Sequence, residues 1–170
     1  MERAGTYPKQ AARDARECPS EWNQLTHAII AAAMEVHSAL GPGLLERLYE
    51  QALCHELGLR KIDYRKQAPV RVEYKGVALG DQIVDLVVGN LVVVELKSVE
   101  KVHDAHLAQM LSYMRSLGVP LGLLINFNVA RLKDGIYRRV LAASTPMPSA
   151  FLNDPSPLRH SDSSATSAFS

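Results

Sequence analysis

The sequence predicts an α/β fold in which one mixed β-sheet is flanked by helices on both faces. Three observations predict it. Apolar residues recur at helical spacing from Asn23 to Leu57. The spacing then shortens to two, or to continuous β-branched runs, between 66 and 96. A single helix at 104–117 separates that block from two further strands. A helical crossover returns the chain to the same end of the sheet, so the strands it joins pair in parallel. The expected order is α-α-β-β-β-α-β-β.

Residues 1–20 are polar and aperiodic, and are expected to form a disordered arm. In the first helix Ile29, Ala33, Val36 and Leu40 recur at steps of three and four, and Gly41-Pro42-Gly43 ends it. A second helix is expected from about Leu44 to Leu57. Leu45, Leu48, Tyr49, Ala52 and Leu53 form its apolar stripe, and Gly58 is placed as its C-terminal cap. Val70, Val72 and Tyr74 alternate with Arg71 and Glu73, which predicts a strand over 66–74 and a turn at Lys75-Gly76. Gln82–Val88 and Leu91–Leu96 read as central strands buried on both faces. The helix at 104–117 closes at Gly118, and LGLLINF at 121–127 reads as another doubly buried strand. Asp134-Gly135 turns the chain into a last strand at 136–141. The Pro- and Ser-rich stretch 145–170 is expected to be a disordered tail, leaving 21–144 as a single domain.

The 170 residues carry 19 Lys and Arg against 18 Asp and Glu, for a net charge of +1. That balance does not advertise a nucleic-acid partner, but two basic clusters do so locally: Arg60, Lys61, Arg65 and Lys66, then Arg131, Lys133, Arg138 and Arg139. The two cysteines, Cys18 and Cys54, form no CxxC pair, which argues against a zinc site or a disulfide framework. No apolar run approaches the ~18 residues of a membrane span. The first residues hold no signal-peptide core, so the cytoplasm is the expected location.

The chemistry enters where charges interrupt apolar strands. Asp85 breaks QIVDLVV, and Glu95 and Lys97 break LVVVELK. A buried charge without a partner costs several kcal/mol, so these side chains must pair or hold a metal. Glu95 and Lys97 are two apart and share a strand face, roughly 7 Å apart at ~3.3 Å per residue. Whether Asp85 joins them depends on the hairpin. A two-residue turn at Gly89-Asn90 pairs 88 with 91 and sends Asp85 and Glu95 to opposite faces. A three-residue or bulged loop pairs 88 with 92 and so sets 85 against 95. Asn90 tolerates the left-handed backbone that such a loop needs, and charge pairing favours this second register. Two carboxylates, a backbone carbonyl and water suit a hard cation such as Mg²⁺. Such an ion acidifies water and neutralises charge on a phosphate in flight, while the lysine orients the water or offsets developing charge.

Asp85, with Glu95-Leu96-Lys97, resembles the D…ExK signature of the PD-(D/E)xK nuclease superfamily. Gly43-Leu44-Leu45-Glu46-Arg47-Leu48-Tyr49 is similar to the motif that names the GxxExxY proteins, a bacterial family of that superfamily. The flanking EVHSALGPGLLERLYEQAL, VVELKSVEKV, AQMLSYM and LGLLINF agree, so that the resemblance spans about 23–141. It implies a PD-(D/E)xK nuclease-like core, a metal site of Glu46, Asp85, Glu95 and the Leu96 carbonyl, and Mg²⁺ or Mn²⁺ as the ion. It also implies roles for Gln109 and Tyr113, a QxxxY pattern on one face of the helix after the ExK strand, with Asp85, Glu95 and Lys97 catalytic. His106 shares that helix face. Tyr49 lies on an apolar stripe and reads as core. Val84 stands before Asp85, where many superfamily members have proline.

The leading functional expectation is therefore a Mg²⁺-dependent phosphodiesterase acting on nucleic acid. The competing one is a non-catalytic module that binds nucleic acid or protein on the same fold. Retention of Asp, Glu and Lys favours the first. The near-neutral charge favours the second, or an unknown protein partner that supplies target choice. No phosphate loop is present, because no GK[ST] follows Gly41-Pro42-Gly43.

Overall fold

The computed structural model describes residues 20–141. Residues 1–19 of the expected arm, with Cys18, and the expected tail lie outside them. The elements are α1 (Ser20–Leu40), α2 (Glu46–Leu59), β1 (Tyr64–Tyr74), β2 (Val77–Val88), β3 (Val92–Lys97), α3 (Asp104–Leu117), β4 (Leu121–Asn126), a 3-10 turn (Leu132–Gly135) and β5 (Ile136–Val140). They build one five-stranded sheet in the order β1-β2-β3-β4-β5. Only β3 and β4, the strands joined through α3, run parallel. This is the mixed α/β sheet that the spacing predicts.

Two apolar layers cover the sheet. On one face α1 and α2 bring Ile29, Val36, Tyr49, Leu53 and Leu57 against Leu86, Val88, Val94, Leu96, Leu123 and Ile125. On the other, α3 lays Met110, Tyr113, Met114 and Leu117 over Val87, Val93 and Leu124. β3 and β4 are thus covered twice, which is why their sequences are continuous apolar runs. Close approach of α3 depends on Gly122, where a side chain would collide with the Met114 and Met110 sulfurs.

Four expectations are corrected. β2 starts at Val77 rather than Gln82, and residues 77–83 are exposed, because the outer β1–β2 hairpin projects past the helices. Leu45 and Leu48 of the expected stripe are exposed, at 61% and 36%. Leu45 is the residue that precedes the first helical turn, and the stripe runs through Tyr49, Leu53 and Leu57 at four-residue steps. Gly58 lies inside α2 and does not cap it. Buried Leu57 anchors that turn, and the helix ends when Lys61 takes φ 56°, with the Ile62 N–H donating to the Leu57 carbonyl at 3.0 Å. Leu91 belongs to the β2–β3 loop and not to the strand.

Candidate active site

The site lies where β2 and β3 separate. Their register pairs Val88 with Val92, Val87 with Val93 and Leu86 with Val94. This is the three-residue alternative. Gly89 and Asn90 take φ 58° and 55°, and the Leu91 N–H closes the loop on the Val88 carbonyl at 3.1 Å. Continuing the register sets Asp85 opposite Glu95, with Lys97 on the same face. The ladder stops one step short of that pair. The Asp85 carboxylate instead accepts the backbone N–H of Leu96 at 2.7 Å.

Glu95 is 4% exposed. Its Oε1 accepts from Lys97 Nζ at 2.7 Å, while its Oε2 is buried with no hydrogen-bond partner. Burial and the nearby Asp85 carboxylate push its pKa up to about 7, against the pull of Lys97. Asp85 also moves above the usual carboxylate range through burial, although the Leu96 N–H and Lys97 oppose the shift. Desolvation lowers Lys97, but its bond to Glu95 and the fields of Glu95, Glu46 and Asp85 outweigh it and the net shift is upward.

The remaining expected residues fall around this trio. Glu46, in the first turn of α2, approaches Lys97 Nζ at 3.9 Å and is raised by burial. Among the described residues no three carboxylate, imidazole or thiolate side chains are gathered around one point. The Asp85–Glu95 pair therefore forms the centre, with Glu46 reaching it through the lysine. Leu96 places its N–H on Asp85. Tyr113 is 3% exposed and accepts a hydrogen bond from Gln109 Nε2 at 2.7 Å, which leaves its own proton free to donate. Burial, and then the field of Glu95, push its pKa up. His106 instead helps to cap α3, its Nδ1 accepting the His103 N–H at 3.3 Å.

Tyr49 is fully buried and stacks on Phe127 at 4.4 Å between ring centroids. Its hydroxyl donates to the Gly41 carbonyl at 2.6 Å and accepts the Leu44 N–H at 3.1 Å. Ser98, just after Lys97, donates to the Leu44 carbonyl at 2.6 Å. Buried Asn126 fixes the next segment, accepting the Val99 N–H at 3.1 Å and donating to the Val99 carbonyl at 2.8 Å. Sequence reading missed Ser98 and Asn126. Only a polar residue at the end of the apolar run LGLLINF signalled the latter. The basic clusters are partly engaged within the chain: Arg60 with Glu56, Lys66 with Glu50, Arg131 with Asp134 and Arg138 with Asn23.

A family model of the PD-(D/E)XK nuclease superfamily matches residues 23–140, and the chain belongs to that superfamily. Neither the curated proteins nor the solved structures give a match. Nucleases of the superfamily generally use divalent metal ions. The donor set fits such an ion, because a buried carboxylate oxygen of Glu95 has no partner and continuing the β2–β3 register sets the Asp85 carboxylate opposite that residue. Among the described residues no helix is long and apolar enough to cross a membrane.

Proposed function

We propose that the protein is a Mg²⁺- or Mn²⁺-dependent nuclease that hydrolyses phosphodiester bonds of nucleic acid, and that it belongs to the GxxExxY group of its superfamily. The observation that carries the reading is the unpartnered, buried Oε2 of Glu95 beside Asp85. A resident chain cation would have satisfied it if the trio were only a structural ion pair. The GxxExxY assignment is supported by the division of labour in the motif. Gly43 takes φ 97° in the loop between α1 and α2, Tyr49 pins that loop through Gly41 and Leu44, and Glu46 alone reaches the acidic centre.

Asp85, Glu95 and the Leu96 carbonyl would hold the ion, with Glu46 completing the acidic surroundings. When bound it neutralises phosphate charge and makes water a competent nucleophile near neutral pH. The chain supplies the rest. Lys97 has a largely buried stem and a head held between Glu95 and Glu46, so its ammonium is oriented toward the negative charge that grows on the phosphate. The Tyr113 hydroxyl, fixed by Gln109, offers a further hydrogen bond to a phosphate oxygen. The Leu96 N–H prevents Asp85 from rotating away. Lys66 and neighbouring basic residues would attract the backbone. A protein partner that adds target choice agrees with the near-neutral net charge of +1.

The test is a panel of single- and double-stranded DNA and RNA, incubated with the protein in Mg²⁺, Mn²⁺ or EDTA. Cleavage that needs the ion and disappears in Glu95→Gln is expected. Cleavage equal in both proteins, or none on any substrate, would leave the fold as a binding module.

A further inference from the structure

Glu50 lies one helical turn beyond Glu46 on α2 and is 8% exposed. Its carboxylate takes Lys66 Nζ at 2.8 Å and also the side-chain amide of Gln67. Consecutive residues of a regular strand point to opposite faces, so both cannot reach one acceptor. Here they do, because Gln67 adopts φ 51°, a left-handed conformation that is strained for a non-glycine residue.

The consequences reach β2. The β1–β2 register pairs Lys66 with Leu86 and Ala68 with Val84, and the position between them sets Gln67 against Asp85. On one side of that position Tyr64, Leu86 and Val88 pack with α1 and α2. On the other, Ala68, Val70 and Val84 pack with α3, although they have the same parity. The two strands therefore roll together at Gln67 and Asp85. Asp85 sits at the roll, out of the ladder, where its carboxylate meets the Leu96 N–H.

We propose that Glu50 is a positioning residue of the site: by holding Lys66 and Gln67 together it fixes the roll of β1 that delivers Asp85 to Glu95. The inference rests on the reading of Asp85 as a metal ligand. Glu50 acts through Gln67 and the strand, and because its charge is also felt at Asp85, Gln67→Gly, which leaves that charge in place, separates position from field. Glu50→Gln keeps the shape but turns one of the two accepting oxygens, Oε1 for Lys66 and Oε2 for Gln67, into an amide nitrogen that only donates. Gln67→Gly keeps the left-handed backbone without strain and removes only the amide contact.

The experiment has two readouts in the full chain. The first is the Leu96 amide proton resonance in metal-free protein, with Asp85→Asn marking where it moves when the charged acceptor is lost. The second is Mn²⁺ affinity from water-proton relaxation. In both Glu50→Gln and Gln67→Gly the Leu96 resonance should move toward its Asp85→Asn position, and the Mn²⁺ Kd should rise by about tenfold or more, as for other residues that orient ligands. Leu57→Val loosens the same helix and should move neither readout. Wild-type values in both variants would overturn the proposal. If Glu50→Gln fails to fold, Gln67→Gly carries the test alone. If wild-type protein takes up no Mn²⁺, the metal reading falls, and the Leu96 resonance still decides whether Glu50 places Asp85.

Discussion

The carboxylate of Asp85 is bonded to the backbone N–H of Leu96 at 2.7 Å, so a side chain joins β2 to β3 at the point where their ladder ends. This bond makes Asp85 both a candidate ligand and a structural clasp, and the two roles separate on mutation. Asp85→Asn retains an acceptor for the Leu96 N–H and relieves repulsion with Glu95. Metal-free stability should hold, and the Glu95 pKa should fall toward the ordinary carboxylate value. Asp85→Ala orphans a buried N–H and should cost about 1–3 kcal/mol. Urea unfolding of both variants, with carboxyl carbon resonances for Glu95, checks the pair. Equal stabilities would show that the clasp contributes nothing.

The pH dependence follows from the same crowding. Glu95 is raised from 4.5 to about 7 in the folded chain, and Asp85 and Glu46 shift in the same direction. For an acid raised on folding, the native state binds more protons than the unfolded state. Its stabilisation is complete below the unfolded value and is lost as pH rises through the folded one. Metal-free protein should therefore lose stability between about pH 4.5 and 7, by an amount on the order of a few kcal/mol. Lys97, also raised, loses its contribution only above its ordinary 10.5, outside that window. Glu95→Gln should flatten the profile. A wild-type stability that rises across this range would contradict the assignment.

A divalent ion should reverse this behaviour. Mg²⁺ or Mn²⁺ at a hundred times its Kd should stabilise the fold by roughly 2.7 kcal/mol, with the gain growing as pH rises and the carboxylates ionise. Glu95→Gln should abolish the gain. Lys97→Ala should keep it, because a competing cation has been removed, while turnover falls. Thermal melts of the three proteins across ion concentration separate these outcomes. A wild-type melt that ignores both ions at millimolar levels would return the trio to a structural ion pair.

Tyr49 tests the division of labour in the glycine-to-tyrosine motif. Tyr49→Phe keeps the stack on Phe127 and removes the bonds to Gly41 and Leu44. Stability should fall by about 1–2 kcal/mol, with metal affinity unchanged. Lost affinity at unchanged stability would instead move Tyr49 into the site.

The centre of the site was legible because its residues break a strong local pattern. Asp85, Glu95 and Lys97 are charges in runs that are otherwise buried, and Asn90 carried the turn chemistry that settles their register. The parallel pairing of β3 and β4 followed from the crossover helix. Glu50 and Gln67 left no comparable mark. Glu50 is an acid on a helix whose first turn already holds one, and Gln67 is an ordinary residue in a strand whose left-handed backbone only the tertiary contact explains. The outer end of β2, residues 77–81, was missed for a related reason. Residues 77–83 are exposed on both faces, so no burial imprints a period of two on them.

That outer hairpin divides the molecule into regions that open at different rates. Beyond Val70 and its partner Gln82 it is held mainly by its own ladder, and a two-stranded ribbon alone is marginally stable in water. Its amides should exchange with deuterium by local fraying, while those of β3 and β4, covered on both faces, should wait for global unfolding. Asp85 stands at the border of these regimes and Glu95 deep inside the slow one. The bond from the Leu96 N–H ties Asp85 to the slow side of that border, so fraying of the ribbon should reach the acidic pair only when this clasp opens.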